Sequence, residues 1–358
     1  MKPSVALIPL SAIYSAITRT RLAAYERGWL SVSRLAAPVI SVGNLTTGGT
    51  GKTPLVEWVC RAIASGEAAG NLRERKKVCV LTRGYGRNNP NTQVVVSNGA
   101  ELLAGEKESG DEPFLLARNL LGAAAVVANP NRVAAGEWAI KNLQADCFVL
   151  DDGFQHLSLA RDLDIVTIDA TNPWNGGSLL PYGRLREPRA GLSRADCVVI
   201  TRVDQVTNLS SIREAVERLV GAVPIFSSRM VTSGIRTLGG KNVNKESLRT
   251  QRPGAFCGVG NPKSFFDHLR REGFAPSFTH KFGDHHNYTQ SEVDVLVNEA
   301  KSCGAAALMT TAKDAIKLST FRSKIPIYAL EIQISIEEED RLIEILRATV
   351  YKNPDVSG

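Results

Sequence analysis

Residues Gly43 to Pro54 read Gly-Asn-Leu-Thr-Thr-Gly-Gly-Thr-Gly-Lys-Thr-Pro and follow the apolar run Pro38-Val39-Ile40-Ser41-Val42. Each residue type here has a use at the phosphates of a nucleotide. Glycines let backbone N–H groups turn inward, a lysine reaches the outer phosphates, and the neighbouring threonine hydroxyl can ligate Mg2+. Thr47, Gly48, Gly49, Thr50, Gly51, Lys52 and Thr53 are therefore the expected nucleotide-binding residues, with Leu55 to Ile63 as the helix whose N-terminus faces the anion. The pattern departs from G-x-x-x-x-G-K-[ST] where Thr46 takes the place of the first glycine. The competing reading is a glycine-rich structural turn.

Asp151-Asp152-Gly153-Phe154-Gln155-His156 follows the apolar Phe148-Val149-Leu150, which puts two carboxylates at a strand end. Magnesium keeps several waters and takes one or two carboxylates with phosphate oxygens, so Thr53, Asp151 and Asp152 form a coherent expected metal set. The alternative is an acidic turn that opens a helix. Asp111-Glu112 opens another helix, Phe114 to Leu121. Two acids there can simply complement the helix dipole; in a phosphoryl-transfer enzyme Asp111 is also a candidate base for the attacking hydroxyl. Arg83, Arg87, Arg132, Arg184 and Arg186 lie in loops near these elements, where they can bind phosphates or remain solvated charges. Leu179 to Pro188 packs two arginines, a tyrosine and two prolines into a stiff stretch suited to binding. Asp284-His285-His286-Asn287-Tyr288 holds two of the five histidines. One of them can reach nucleotide or metal, or the segment can be a capping loop.

Short apolar runs alternating with helical patterns must position these groups. Val39 to Val42, Val78 to Thr82, Ala124 to Ala128, Cys147 to Leu150, Ile165 to Asp169 and Val198 to Thr201 read as strands, predicting an α/β fold with a mostly parallel sheet. The candidate groups cluster at strand C-terminal ends, where open α/β sheets bind ligands. A boundary is expected near residue 226, after which Ser227 to Gly240 reads as turn-rich. A smaller α/β domain follows, with strands from Gly254, at Ala306 to Thr310 and at Ile327 to Ile336, and helices at Pro262 to Arg271 and Gln290 to Ala300. The expected domains are 1–30, an N-terminal segment; 31–226; 227–340; and 341–358, a final helix that returns to the larger domain.

At 358 residues, two domains are the better expectation. The formal charge of +7 suits an anionic partner. Cys60, Cys79, Cys147, Cys197, Cys257 and Cys303 lie far apart with no C-x-x-C pair, which predicts buried thiols and no zinc site. Ser4 to Ile17 is mostly apolar but too short to span a bilayer as a helix. Residues 1–34 carry five basic side chains against the single acid Glu26, with Tyr14, Tyr25 and Trp29 among them. A basic, apolar, non-spanning segment reads as an interfacial membrane helix. It also suits a helix packed on the protein's own surface.

Together these segments resemble the tetraacyldisaccharide 4'-kinase family of lipid A biosynthesis. The residues that carry the resemblance are Val42 through Pro54, Arg83-Gly84-Tyr85-Gly86, Gly110-Asp111-Glu112-Pro113, Asp151 through His156, Leu180-Pro181 through Arg186-Glu187-Pro188, and Asp284-His285-His286, in family order over nearly the whole chain. The resemblance implies a P-loop NTPase-like sheet with helices on both faces, a second smaller α/β domain and an N-terminal membrane-associating helix. It implies transfer of the ATP γ-phosphate, with Mg2+, to the 4'-hydroxyl of a lipid-linked glucosamine disaccharide 1-phosphate. Lys52 would act on the phosphates and Asp111 as base, assisted by His285. Arg83, Tyr85, Glu112, Arg132, Gln155, His156, Arg184, Arg186 and Glu187 would line the substrate side. It further implies peripheral or monotopic attachment to the cytoplasmic face of the bacterial inner membrane, with no nucleic acid and no obligatory protein partner.

Two features pull elsewhere. Gly48 to Thr53 also resembles the loop of dimeric ATPases of the signal-recognition and partitioning class, although Thr47 stands where that class has a second lysine. Thr201-Arg202-Val203-Asp204 resembles the [NT]-K-x-D element that reads guanine, with Arg202 in the lysine position. A regulatory or metallochaperone-type P-loop GTPase is thus the alternative expectation, against a simple strand-end turn.

Overall fold

The computed structural model describes residues 5–66, 75–84, 87 and 89–351. The chain divides into two compact units, 1–229 with 334–358, and 230–333.

The first unit begins with α1 (Ile8–Glu26), with Pro9 in its first turn, where a missing N–H costs nothing. It continues with β1 (Val39–Gly43), α2 (Lys52–Ala64), β2 (Val78–Thr82), β3 (Val94–Ser97), α3 (Glu106–Ser109), α4 (Asp111–Asn119), β4 (Ala124–Ala128), α5 (Arg132–Leu143), β5 (Cys147–Asp151), β6 (Leu163–Asp169), β7 (Cys197–Thr201), α6 (Leu209–Val220) and the start of β8 (Ile225–Thr237). Its strands lie in the order β8-β7-β6-β1-β5-β2-β4-β3. All the registered pairs are parallel except β3 with β4. Strands β1, β2, β4, β6 and β7 are buried at every residue, which is why they read as unbroken apolar runs.

Alternating side chains build two layers. Val39, Leu81, Val127, Phe148 and Leu150 pack with α5, and Val166, Ile168, Val198 and Ile200 pack with α6. The intervening Ile40, Val42, Val80 and Val149 are equally buried and face the other layer. There α2 buries Leu55, Val56, Val59, Cys60 and Ile63, one face of a helix by their spacing. Central strand β1 lies between β5 and β6, so the loop that leaves it opens at the reversal of strand order.

The second unit contains the rest of β8, α7 (Lys245–Arg249), β9 (Gly254–Cys257), α8 (Pro262–Arg271), β10 (Thr279–Lys281), α9 (Gln290–Ser302), β11 (Leu308–Thr311), α10 (Ala312–Leu318) and most of β12 (Ile327–Ile336). Its strand order is β10-β9-β11-β12-β8, with β10, β9, β11 and β12 parallel. The last helix, α11 (Glu339–Val350), belongs to the first unit.

Two readings change. The stretch Ser227 to Gly240, expected to be turn-rich, is mostly strand, because β8 runs through Thr237. Its polar residues hide its character: Ser227 and Ser228 are buried, and exposed Arg229, Ser233 and Arg236 interrupt the apolar positions. Of the cysteines, five are buried but Cys303 is exposed.

Gly43 ends β1 where no side chain fits. A Cβ there would stand 2.5 Å from Phe154 Cβ and 2.8 Å from the Phe154 backbone N. Gly43→Ala should lower stability by about 1–3 kcal/mol through overpacking. A lowered urea midpoint would register this, and an unchanged midpoint would contradict the packing.

Candidate functional site

The loop between β1 and α2 is held from beneath by hydroxyls. Thr50 Oγ1 lies 2.8 Å from Thr167 Oγ1 on β6 and accepts from Asn44 Nδ2 at 2.9 Å, while its carbonyl accepts from Thr201 Oγ1 on β7 at 2.9 Å. The Thr50 side chain and carbonyl are therefore turned to the sheet, leaving its backbone N–H for a ligand. Thr47 N donates to Arg184 O at 2.8 Å, and Asn175 Nδ2 donates to Thr47 O at 3.1 Å. A Cβ on Gly48 would lie 4.0 Å from Arg184 Nη1, so that arginine stands beside the loop. Gly48 (φ 115°) and Gly51 (φ 88°) occupy conformations that side chains resist. Gly51 is also the N-cap of α2 and supplies no side-chain cap, leaving the first N–H groups of α2 available to an anion.

The carboxylate pair sits next to this loop. Asp151 closes β5 and accepts from Thr82 Oγ1 at 3.1 Å; Asp152 follows at φ 58°, and Gly153 N donates to Val42 O at 3.2 Å, tying the turn to β1. No helix follows. Lys52 Nζ is 3.5 Å from Asp152 Oδ1 and Arg186 Nη1 is 2.5 Å from Asp152 Oδ2. Burial opposes ionisation of Asp152, but Lys52 and Arg186 outweigh it and hold the carboxyl below its usual range. Asp151 is pushed up to about 6 by burial and by the neighbouring Asp152 and Glu112 charges.

A divalent cation fits these groups. The Thr53 hydroxyl and two carboxylates are hard oxygen donors, and the buried Asp152 Oδ1 has no hydrogen-bond partner. Among the described residues no group of three or more His, Cys, Asp or Glu gathers around one point. That also suits magnesium, which takes few protein ligands and draws the rest from phosphate and water.

The remaining first-unit residues form a basic surround. Buried Arg132, the first residue of α5, has a buried Nε without a partner, and burial lowers its guanidinium to about 10 against the pull of Asp151 and Asp152. Exposed Arg83 follows β2. Gln155 Nε2 donates to Asn44 O and Glu187 Oε1, each at 2.8 Å, and Arg194 Nη1 donates to Glu187 Oε2 at 2.8 Å. Asp111 and Glu112 begin α4, with Asp111 6% exposed. Arg87 turns away, donating to Ala128 O and Pro90 O. Tyr85 lies outside the described residues.

Helix α1 docks onto the same loops. Ser11 Oγ donates to Leu179 O at 3.1 Å, Tyr14 OH to Arg186 O at 2.9 Å and Arg21 Nη1 to Gln155 O at 3.2 Å. A cavity of about 110 Å³ lies there, lined in part by Tyr14, Arg21, Gln155, Arg186 and Arg194. On the same helix Leu10, Ile13 and Ile17 are 51%, 57% and 60% exposed. Among the described residues no helix is long and apolar enough to cross a membrane.

The guanine-type segment is used internally: Thr201 supports Thr50, and buried Arg202 pairs with Asp169. Sequence reasoning missed Asn44, Thr82, Thr167 and Arg194. The threonines carried a signal, as hydroxyls inside otherwise apolar strands.

His285 belongs to the second unit, at φ 58°, with Asp284 and Lys313 beside it. His286 Nε2 is 3.0 Å from Glu292 Oε1.

Comparison with known proteins gives a consistent result. Residues 3–351 match the family described as tetraacyldisaccharide-1-P 4'-kinase, LpxK. A tetraacyldisaccharide 4'-kinase of Geobacter metallireducens is 41% identical, covering 92% of this chain and 93% of the relative. One from an Anaeromyxobacter species is 38% identical over 99% of this chain and 94% of the relative. A crystal structure of LpxK from Aquifex aeolicus in complex with ATP superposes with a TM-score of 0.75 at 31% identity, covering 97% of this chain and 99% of that one.

Burial and the field of Arg132, Arg161, Arg21 and Arg83 lower His156 to about 4, so it is neutral at neutral pH. Because the unfolded chain binds this proton near pH 6.5, stability should fall as pH drops from about 6.5 towards 4. His156→Gln should flatten that part of the profile. Equal acid losses in the two proteins, measured by urea unfolding at stepped pH, would contradict a neutral His156.

Proposed function

The chain belongs to the tetraacyldisaccharide 4'-kinase family, and from that premise we propose how its residues carry out the reaction. The protein is an ATP-dependent kinase that phosphorylates the 4'-hydroxyl of the tetraacyl disaccharide 1-phosphate precursor of lipid A. The observation that carries the mechanism is the Lys52–Asp152–Arg186 cluster beside the uncapped N-terminus of α2. Phosphoryl transfer asks a protein chiefly for positioning and charge stabilisation. The loop amides and Lys52 hold the phosphates, with Arg184 beside the loop. Thr53, Asp151 and Asp152 hold Mg2+, which when bound neutralises charge on the phosphate oxygens. Asp111 accepts the proton of the attacking hydroxyl, assisted by His285. Arg83, Tyr85, Glu112, Arg132, Gln155, His156, Arg186 and Glu187 serve the acceptor side.

Attachment to the membrane through α1 is part of the same reading. Its support is the outward apolar row Leu10, Ile13 and Ile17, with Trp29 70% exposed just beyond the helix, together with the basic side chains Arg19, Arg21 and Arg27. An acylated acceptor resides in a bilayer, and ATP places the working side at the cytoplasmic face of the bacterial inner membrane. The GTPase alternative is set aside, because Thr201 and Arg202 are committed to Thr50 and Asp169.

Transfer of labelled phosphate from ATP to a disaccharide 1-phosphate lipid in detergent micelles tests the reading directly. Asp111→Ala should reduce turnover by roughly 10²- to 10⁴-fold with nucleotide affinity retained; near-normal transfer would remove Asp111 as base. Replacing Leu10, Ile13 and Ile17 by serine should weaken sedimentation with anionic vesicles by roughly tenfold or more. Unchanged sedimentation would detach α1 from that role.

A further inference from the structure

Arg194 ends a 3-10 turn, Arg189–Arg194, that follows the Leu179 to Pro188 stretch. Its guanidinium is held in two directions. Nη1 donates to Glu187 Oε2 at 2.8 Å and Nη2 to Glu187 Oε1 at 3.1 Å, a fork on both carboxylate oxygens, while Cζ lies 4.4 Å from the centre of the Phe154 ring. Phe154 is fully buried, and the Arg194 and Glu187 side chains are 18% and 9% exposed. Gly191 makes room for the pair, since a Cβ there would stand 2.9 Å from Glu187 Cδ and 3.0 Å from Arg194 Nη1. Glu187 Oε1 also accepts from Gln155 Nε2, which donates to Asn44 O as well and so uses both protons of its amide. That amide has one orientation, because a flipped one would set its oxygen against a carboxylate and a carbonyl. Gln155 Oε1 is left 3.4 Å from Arg186 Nη1, the nitrogen that pairs with Asp152.

We propose that Arg194 is a positioning residue: by taking both oxygens of Glu187, it keeps that carboxylate from drawing Arg186 away from Asp152. An enclosed carboxylate needs a cation, and Arg186, Glu187 and Arg194 all line the cavity beside α1. The charges sort into two pairs, Arg194 with Glu187 and Arg186 with Asp152, and the Gln155 amide stands between them. Without Arg194, Glu187 loses its fork of N–H groups, and Arg186 is the cation across the Gln155 side chain. A lysine at this position would supply the charge but not the fork. The inference rests on the reading above that Gln155, Arg186 and Glu187 serve the acceptor side, and it gives Arg194 the task of sorting their charges.

Crystal structures and steady-state kinetics of the full-length enzyme in detergent test this. In Arg194→Met, Arg186 should turn from Asp152 to Glu187, and kcat/KM for the disaccharide 1-phosphate lipid should fall about tenfold or more, with KM for ATP within about twofold. Arg194→Lys should recover part of the loss. Adding Glu187→Gln to Arg194→Met removes the competing carboxylate, so the double variant should match Glu187→Gln alone within about twofold. That comparison does not need Arg194→Met to fold, because neither of its members leaves a buried carboxylate unpaired. Arg186 still seated on Asp152 in Arg194→Met would overturn the proposal, as would a double variant much slower than Glu187→Gln. An Arg194→Met protein with a lowered urea midpoint but wild-type acceptor kcat/KM per folded enzyme would reduce Arg194 to a packing role and overturn it too. Wild-type acceptor kinetics in Arg186→Met would instead remove Arg186 from the acceptor side, an outcome that the seat of Arg186 in Arg194→Met crystals does not share.

Discussion

Asp152 is where the first unit's machinery is tied together. Its carboxylate is shared by Lys52, from the first turn of α2, and Arg186, from the loop on which α1 docks. A carboxylate this enclosed must be paired, since an uncompensated buried charge is costly. The two cations are also mutually repulsive and are kept close by the anion between them. The cluster therefore fixes Lys52 relative to β5 and the basic loop. It also prepares the site for ligand, because Asp152 Oδ1 is buried with only the 3.5 Å contact to Lys52 and no hydrogen bond of its own. A cation and the nucleotide phosphates can rebalance these charges without rebuilding the backbone.

The backbone that holds the cluster is set by absent side chains and inward hydroxyls. Gly43 admits Phe154, and Gly153 is packed on Leu150 and Ser41, where a Cβ would come within 2.6 Å and 2.8 Å of their atoms. Those contacts press the β5 turn against the end of β1. On the other side, Thr167 and Thr201 anchor Thr50 from neighbouring parallel strands. Each hydroxyl bond is worth only about 1 kcal/mol, but together they settle one conformation of a loop rich in glycine. These contacts supply the order that the proposed phosphate site needs in its backbone amides.

The sheet of the first unit was legible because parallel strands buried on both faces leave uninterrupted apolar runs. Their ends were legible too, since glycine, aspartate and arginine follow them directly. Strand β8 was not, because a strand containing Ser227, Ser228, Thr232, Ser233 and Gly234 has the composition of a loop, two of those serines being buried. The supporting shell was equally hidden: Thr50 and Thr201 meet only after folding, 151 residues apart in sequence.

Helix α1 shows what composition leaves open and packing decides. An apolar, basic helix suits both an interface and a self-packed surface, and the distinction is which side faces the protein. Here the inward side is polar: Ser11, Tyr14 and Arg21 bond backbone carbonyls, and α1 has no buried residue. Such bonds hold a helix weakly in water, where solvent competes for the same groups. Its apolar side gains nothing until it leaves water, at roughly 25 cal/mol per Å². In the proposed attachment a bilayer interface supplies that gain, and Tyr14, bonded to Arg186 O, links the helix to the loop that pairs with Asp152. On that proposal Arg186 joins the charge cluster around Asp152 to the helix that meets the surface from which an acylated substrate comes.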